Sequence, residues 1–312
     1  METGRRTRRA RERADAMSPD EVAARVEAGE TFAVRFRVPS GETVWDDEVH
    51  GETRFRNDEI DDLVILRSDG TPTYNLAVVS DDATMDINLV LRGDDHLSNT
   101  PKQILLHQAM GNPVPAFAHV PLILGPDGKR LSKRHGATAV GEYEKEGILP
   151  EAMVNFLALL GWSPGDDREV FSRDELVDAF SLDRILKKSA VFDFRKLEWL
   201  NGQHLAATAT ELLLEPVRRG LEDRNLLDSP HPGETQEGAP IDLAFMVELL
   251  KVRARTVEDL LLQAEPYFRD ELHYDPKAVR KQWAKDPAAT AHRLARLEEV
   301  LGQASWDQEA LE

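Results

Sequence analysis

Gly125-Pro126-Asp127-Gly128-Lys129-Arg130-Leu131-Ser132-Lys133-Arg134-His135-Gly136 places four cations among the six residues 129–134, with glycines on both sides. The segment follows directly on Phe117 to Leu124, which reads as a sheet strand. Ligands of open α/β sheets bind in the crevice at the C-terminal ends of strands. A basic loop at that place can close on polyphosphate, and lysine suits the task as a mobile point charge. Such a charge would offset the one that develops on a departing pyrophosphate. A solvated basic turn is the competing reading of the composition alone. The chain has no Walker-type phosphate loop, no Gly-rich dinucleotide fingerprint and no zinc-protease motif.

Upstream of the loop, Asn99-Thr100-Pro101 opens a helix that runs to Met110 and stops at Gly111. Ile87 to Leu91 reads as a short buried strand before it, and Thr73 to Val79 as a helix after the Ser68-Asp69-Gly70 turn. Strand, helix, strand in that order is a βαβ crossover, which requires a parallel sheet. The pattern amounts to half of a doubly wound sheet. Nearer the N-terminus, Ser18 caps a helix with Pro19 in its first turn, Glu21 completing a capping box and Gly29 ending it. The alternation of Phe32, Val34, Phe36 and Val38 predicts a strand over 31–38, with further short strands near Val44, 53–56 and 63–66. Downstream, helical periodicity takes over from Pro150, broken by a Pro/Gly-rich stretch at 228–240. The expected organisation is a small α/β unit over 1–68, sheet over 69–128, basic loop and helical region over 129–205, and a helical bundle over 206–312.

The chain has 312 residues, 41% of them hydrophobic, enough for ordinary cores. No apolar run approaches the roughly 20 residues of a membrane span, and the first residues hold no apolar signal core. Cysteine is absent, which excludes disulfides, thiolate metal sites and a cysteine nucleophile and fits a cytoplasmic protein. The formal charge of −18 is the opposite of a nucleic-acid binder's usual footprint. RNA contact would therefore have to come from local basic patches.

Several ordered motifs carry a resemblance. Arg130-Leu131-Ser132-Lys133-Arg134 resembles the Lys-Met-Ser-Lys-Ser loop of class I aminoacyl-tRNA synthetases, and its His-Gly continuation is similar to that of bacterial glutamyl-tRNA synthetases. Asp69-Gly70-Thr71-Pro72-Thr73-Tyr74-Asn75-Leu76-Ala77, Leu91-Arg92-Gly93-Asp94-Asp95-His96 and Asn99-Thr100-Pro101-Lys102-Gln103 resemble further signatures of the same family. So do Gly147-Ile148-Leu149-Pro150-Glu151-Ala152, Leu159-Leu160-Gly161-Trp162 and Leu197-Glu198-Trp199-Leu200-Asn201. The resemblance covers roughly 18–205 strongly and the rest weakly. It implies the second half of a class I Rossmann-type sheet with an α/β insertion unit, followed by part of an anticodon-binding bundle. It also implies a glutamate–tRNA ligase reaction through glutamyl-adenylate, with ATP, L-glutamate and tRNA as substrates and Mg2+ accompanying ATP. No zinc site and no membrane are expected, and a monomer is.

By the same resemblance, Lys133 contacts the ATP phosphates in the transition state. Arg130, Ser132 and Arg134 share the ATP site, and Leu122 and Ile123 line its adenine side. Tyr74 and Arg92 face glutamate. A guanidinium fork does read a carboxylate bidentately, but Arg92 has a structural alternative in an ion pair with Asp94 or Asp95. Tyr74 has one as a core aromatic. His96 and His119 read as packing residues, and His135 as a residue that shapes the loop. Two departures stand out. Arg130 replaces the loop's first lysine, and the family's His-x-Gly-His motif is nowhere in these residues. The expectation is a chain truncated at both ends and inactive alone, which a missing N-terminal segment would complete. A non-catalytic tRNA-binding fragment and half of a split synthetase are the alternatives.

Overall fold

The computed structural model describes residues 2–132, 139–227, 241–269 and 274–303. Contacts divide the chain into two compact units, Met1–Thr208 with Lys251–Glu258, and Ala209–Leu250 with Asp259–Glu312.

The first unit opens with helices α1 (Glu2–Asp15) and α2 (Pro19–Glu27). Ser18 caps α2 by accepting from the Glu21 N–H at 3.2 Å, and Gly29 takes the left-handed conformation just past its end (φ 75°). Strand β1 (Val34–Phe36) pairs antiparallel with β4 (Leu63–Leu66). The register slips between Val34 and Arg35, so the strand is shorter than its alternation predicts. Between these strands lies a hairpin, β2 (Glu42–Asp47) and β3 (Gly51–Arg56), paired over its full length. Asp62 fastens the unit by accepting from the Val38 N–H at 2.8 Å and from the Arg11 guanidinium.

The hairpin does not stand apart. It continues a four-stranded sheet of order β3-β2-β6-β5, in which β5 (Leu89–Gly93) and β6 (Ala116–Val120) run parallel in register from Leu89/Ala116 to Gly93/Val120. Strand β2 meets β6 in parallel at Asp47/Phe117. Helix α3 (Tyr74–Thr84) leads into β5, and α4 (Thr100–Ala109) is the crossover between β5 and β6, as the βαβ pattern requires. Phe117 and Ala118 of β6 are fully buried, and α4 buries most of its residues from Thr100 to His107. Strand β6 ends before Pro121, which has no N–H for the ladder.

His107 is buried within α4, with the Pro113 backbone as a polar neighbour of its ring. Burial lowers its pKa, against a weaker pull from Asp82, and burial lowers that of His204 as well. Folded His107 therefore takes up its proton at a lower pH than the unfolded ring, whose ordinary value is about 6.5. The unfolded chain then binds the extra proton, and stability falls as pH drops through that value, by at most about 1.4 kcal/mol per pH unit for each such ring. His107→Leu is expected to flatten the decline of the melting temperature between pH 7 and pH 5.5. An unchanged pH slope in the variant would remove His107 as its source.

The helical part of the first unit comprises α5 (Val140–Glu144), α6 (Pro150–Leu159), α7 (Arg173–Ala179) and α8 (Phe194–Ala207). Its core joins Tyr143, Ile148, Met153, Phe156, Leu160, Leu197 and Leu200. Buried Asn201 ties segments together, donating to the carbonyls of Gly147 and Arg255 and accepting from the Leu149 N–H at 2.7 Å. The second unit contains α9 (Thr210–Asp223) and most of α10 (Leu243–Lys251) and α11 (Val257–Ala264), then a single turn α12 (Pro276–Ala278), a π-helical turn at Val279–Trp283, and α13 (Pro287–Gln303). Leu213, Val217 and Leu221, four residues apart, form the buried stripe of α9. Gly220 lets α11 approach closely, since a Cβ there would meet Leu261 Cδ1 at 2.4 Å. Among the described residues no helix is long and apolar enough to cross a membrane.

Candidate active site

The C-terminal ends of β5 and β6 bring together Arg92, Tyr74, Leu122 and Arg130 of the side chains singled out in the sequence. Arg92 lies on β5, one residue before its end, and is partly buried. Its Nε donates to His119 Nε2 at 3.2 Å and its Nη2 to Thr100 Oγ1 at 2.7 Å. The guanidinium also sits 5.5 Å from the centroid of the Phe117 ring. Neither of the expected structural partners pairs with it. Asp94 accepts from His50 Nε2 at 2.8 Å, and Asp95 pairs with Arg130 at 3.0 Å. Among the described residues no carboxylate lies within ion-pair distance of Arg92. Burial pulls its pKa below the ordinary value, with Tyr74 and Asp82 pulling the other way, yet an arginine stays charged.

Tyr74, the first residue of α3, is 51% exposed, so it is not a core aromatic. Its hydroxyl lies 3.5 Å from His96 Nδ1 and also hydrogen-bonds the Arg92 guanidinium. His119, read from the sequence as packing rather than a ligand, is fully buried and stacked on Phe117, and it also hydrogen-bonds through both ring nitrogens. Its Nδ1 lies 2.5 Å from Asp47 Oδ2, and its Nε2 lies 3.0 Å from Thr100 Oγ1 as well as beside Arg92. Burial raises the Asp47 pKa, but hydrogen bonds from the His119 ring and from the N–H groups of His50, His119 and Val49 outweigh it, leaving the carboxyl below its ordinary value. Asp47 was not singled out by sequence reading, and Thr100 stood there only as part of a helix start and a signature, not as a site residue.

The basic loop starts as a tight hairpin. Gly125 N–H donates to the Lys129 carbonyl at 2.7 Å, and Leu131 N–H to the Ile123 carbonyl at 2.9 Å. Gly128 takes φ 74°, which the turn after Pro126-Asp127 requires, and Asp127 Oδ1 accepts from the Lys129 N–H at 3.0 Å. The ion pair to Asp95 therefore holds Arg130 above the end of β5. Leu122 lies at the same end, 3.7 Å from where a Cβ on Gly93 would sit. Ile123, partly buried, packs one side against the helical core. Ser132 is exposed. Lys133, Arg134 and His135 lie outside the described residues. A separate groove of about 510 Å³ beside α1 and β1 is lined by Arg11, Arg13, Arg35, Arg37 and Asp62, with Arg11 paired to Asp62 and Arg37 to Asp15, so arginines outnumber acids there in an otherwise acidic chain. Among the described residues no cluster of three or more His, Asp or Glu is arranged to hold a metal.

Comparison with known proteins agrees with this geometry. Residues 1–199 match the family model "tRNA synthetases class I (E and Q), catalytic domain", and residues 205–312 match "Anticodon binding domain". Glutamate–tRNA ligase 2 of Koribacter versatilis is 49% identical over 271 residues, which is 86% of this chain and 55% of that protein. The glutamate–tRNA ligase of Geobacter sulfurreducens is 48% identical over 256 residues, 82% of this chain and 53% of that protein. The chain thus spans about half the length of the curated relatives it matches. Among solved structures, a glutamate tRNA ligase of Elizabethkingia meningosepticum in complex with its amino acid superposes with a TM-score of 0.77 at 31% identity, over 95% of this chain and 60% of that one. Glutamate–tRNA synthetase of Elizabethkingia anophelis gives 0.73 at 32% identity, over 85% and 56%. Two matched regions, an ordered set of signatures and a parallel sheet with its basic loop at the strand ends place this chain in the class I tRNA synthetases (E and Q).

Proposed function

We propose that this chain supplies the glutamate-binding and pyrophosphate-side parts of a glutamate–tRNA ligase. One observation carries the reading: Arg92 is a partly buried guanidinium with no carboxylate partner among the described residues. A buried cation normally has its counter-charge in contact, and the N–H groups of Arg92 not taken by His119 and Thr100, with the Tyr74 hydroxyl beside them, suit a substrate carboxylate. The α-carboxylate of glutamate must stay nucleophilic to attack the α-phosphate of ATP, so the fork reads the side-chain carboxylate, with Tyr74 beside it. That attack yields glutamyl-adenylate and pyrophosphate, and the terminal hydroxyl of tRNA then takes the glutamyl group. Leu122 and Ile123 flank the adenine. Arg130, Ser132, Lys133 and Arg134 face the phosphates, where Lys133 meets the charge that grows on the leaving pyrophosphate. Any Mg2+ would be held chiefly by the ATP phosphates. The arginine groove on α1 and β1 suits the backbone of tRNA. A monomer working in the cytoplasm completes the reading.

The test uses residues 1–312 grafted into the matching span of the Geobacter sulfurreducens relative. Amino-acid-dependent ATP–pyrophosphate exchange is measured with glutamate, glutamine and aspartate. Exchange driven by glutamate alone supports the assignment. A folded graft driven equally well by all three contradicts it.

A further inference from the structure

We propose that Asp47 and His119, with Thr100, are positioning residues that hold the Arg92 guanidinium in one orientation for the substrate carboxylate; this rests on the reading of Arg92 given above. The argument is one of donors and acceptors. Arginine offers only N–H donors, so whatever it meets must accept. The Asp47 carboxylate accepts at one oxygen from the N–H groups of Val49 and His50 at 3.1 Å and of His119 at 3.2 Å. Its other oxygen faces His119 Nδ1 at 2.5 Å. Held ionised by these donors, Asp47 obliges Nδ1 to carry the ring proton. That leaves Nε2 with its lone pair free to accept, and Arg92 Nε donates there at 3.2 Å. The opposite tautomer would set two donors against each other. Thr100 Oγ1 accepts from Arg92 Nη2 at 2.7 Å, so two atoms of the fork are fixed by acceptors.

All three supporting side chains are buried, and they come from β2, α4 and β6. Thr100 is fully buried, so the Asp–His–Thr sequence has no solvent-facing nucleophile and does no chemistry of its own. Instead, the acceptors in direct contact on the inner side are neutral, and the carboxylates that favour the charge of Arg92, Asp82 and Asp47, act on it without an ion pair, whereas a contacting inner carboxylate would take up the fork itself. Asp47 acts at one remove through the imidazole. The arrangement fixes orientation while leaving the outer N–H edge for a ligand.

The experiment is NMR of the 312-residue chain with labelled arginine, reading hydrogen exchange at Arg92 Nε in the native sequence, Asp47→Asn, His119→Gln and Thr100→Val, each before and after adding L-glutamate. Slow exchange is expected in the native chain and at least about tenfold faster exchange in Asp47→Asn and Thr100→Val, because each loosens a buried hydrogen bond of ordinary strength. His119→Gln keeps an acceptor near the Nε2 position and should fall between them. Should Asp47→Asn fail to fold, Thr100→Val, which keeps shape, decides. Equal protection in all folded variants overturns the proposal. If glutamate leaves the Arg92 signals unmoved while the variants still loosen them, the positioning stands and the carboxylate reading of Arg92 falls. If glutamate shifts those signals equally in every variant and protection is unchanged, the carboxylate reading stands and the positioning falls.

Discussion

Lys133→Ala in the grafted synthetase is expected to lower the maximal rate of ATP–pyrophosphate exchange by about 10²–10³-fold, the usual cost of removing one charge aimed at a transition state. Glutamate half-saturation should stay within about twofold, because an interaction made mainly as pyrophosphate departs contributes little to ground-state binding. Three described features bring the chain to this place. The hairpin at Gly125–Leu131 directs it, Arg130 anchors it on Asp95, and Leu122 marks the end of the parallel strands. Lys133→Arg should recover part of the rate, since the charge remains while a planar fork replaces a point charge. Rapid-quench or steady-state exchange kinetics decide the matter. An unchanged maximal rate in Lys133→Ala would remove this residue from the reaction and return the loop to a solvated basic turn.

The elements most legible in the sequence were those whose ends are set locally. Ser18 and Pro19 fix the start of α2, and Gly111 follows α4 in the left-handed conformation, because caps and breakers act within a few residues. The βαβ unit was legible for a similar reason, since a helix between two short apolar strands leaves only parallel pairing. The joining of the β2–β3 hairpin to the same sheet was not. It rests on a pairing of Asp47 with Phe117, and no periodicity links segments that far apart. The site divides in the same way. Arg92, Tyr74 and the basic loop stood out by residue type and motif. The acceptors that hold Arg92 did not, since Asp47 and His119 lie 72 residues apart in sequence and meet only through that strand pairing. One acid in the run Asp46-Asp47-Glu48 and a histidine in an apolar run each read as ordinary until the sheet is assembled. The π-helical turn at Val279–Trp283 likewise left no mark on the helical pattern.

Arg92→Ala is expected to raise the glutamate concentration needed for half-maximal exchange by about 10²–10³-fold, since it leaves a desolvated substrate carboxylate without its charged, bidentate partner. Arg92→Lys should recover only part of that loss. Lysine keeps the charge, but it cannot hold His119 and Thr100 on one side and two carboxylate oxygens on the other. The maximal rate at saturating glutamate should change much less than the half-saturation, because the side-chain carboxylate is bound equally in ground and transition states. The direct measurement is therefore the glutamate dependence of ATP–pyrophosphate exchange in the grafted synthetase with arginine, lysine and alanine at position 92. The account predicts half-saturation rising in that order, by about 10²–10³-fold overall, at nearly constant maximal rate. Identical glutamate dependence in all three would contradict it and make Arg92 a structural cation with the glutamate pocket elsewhere.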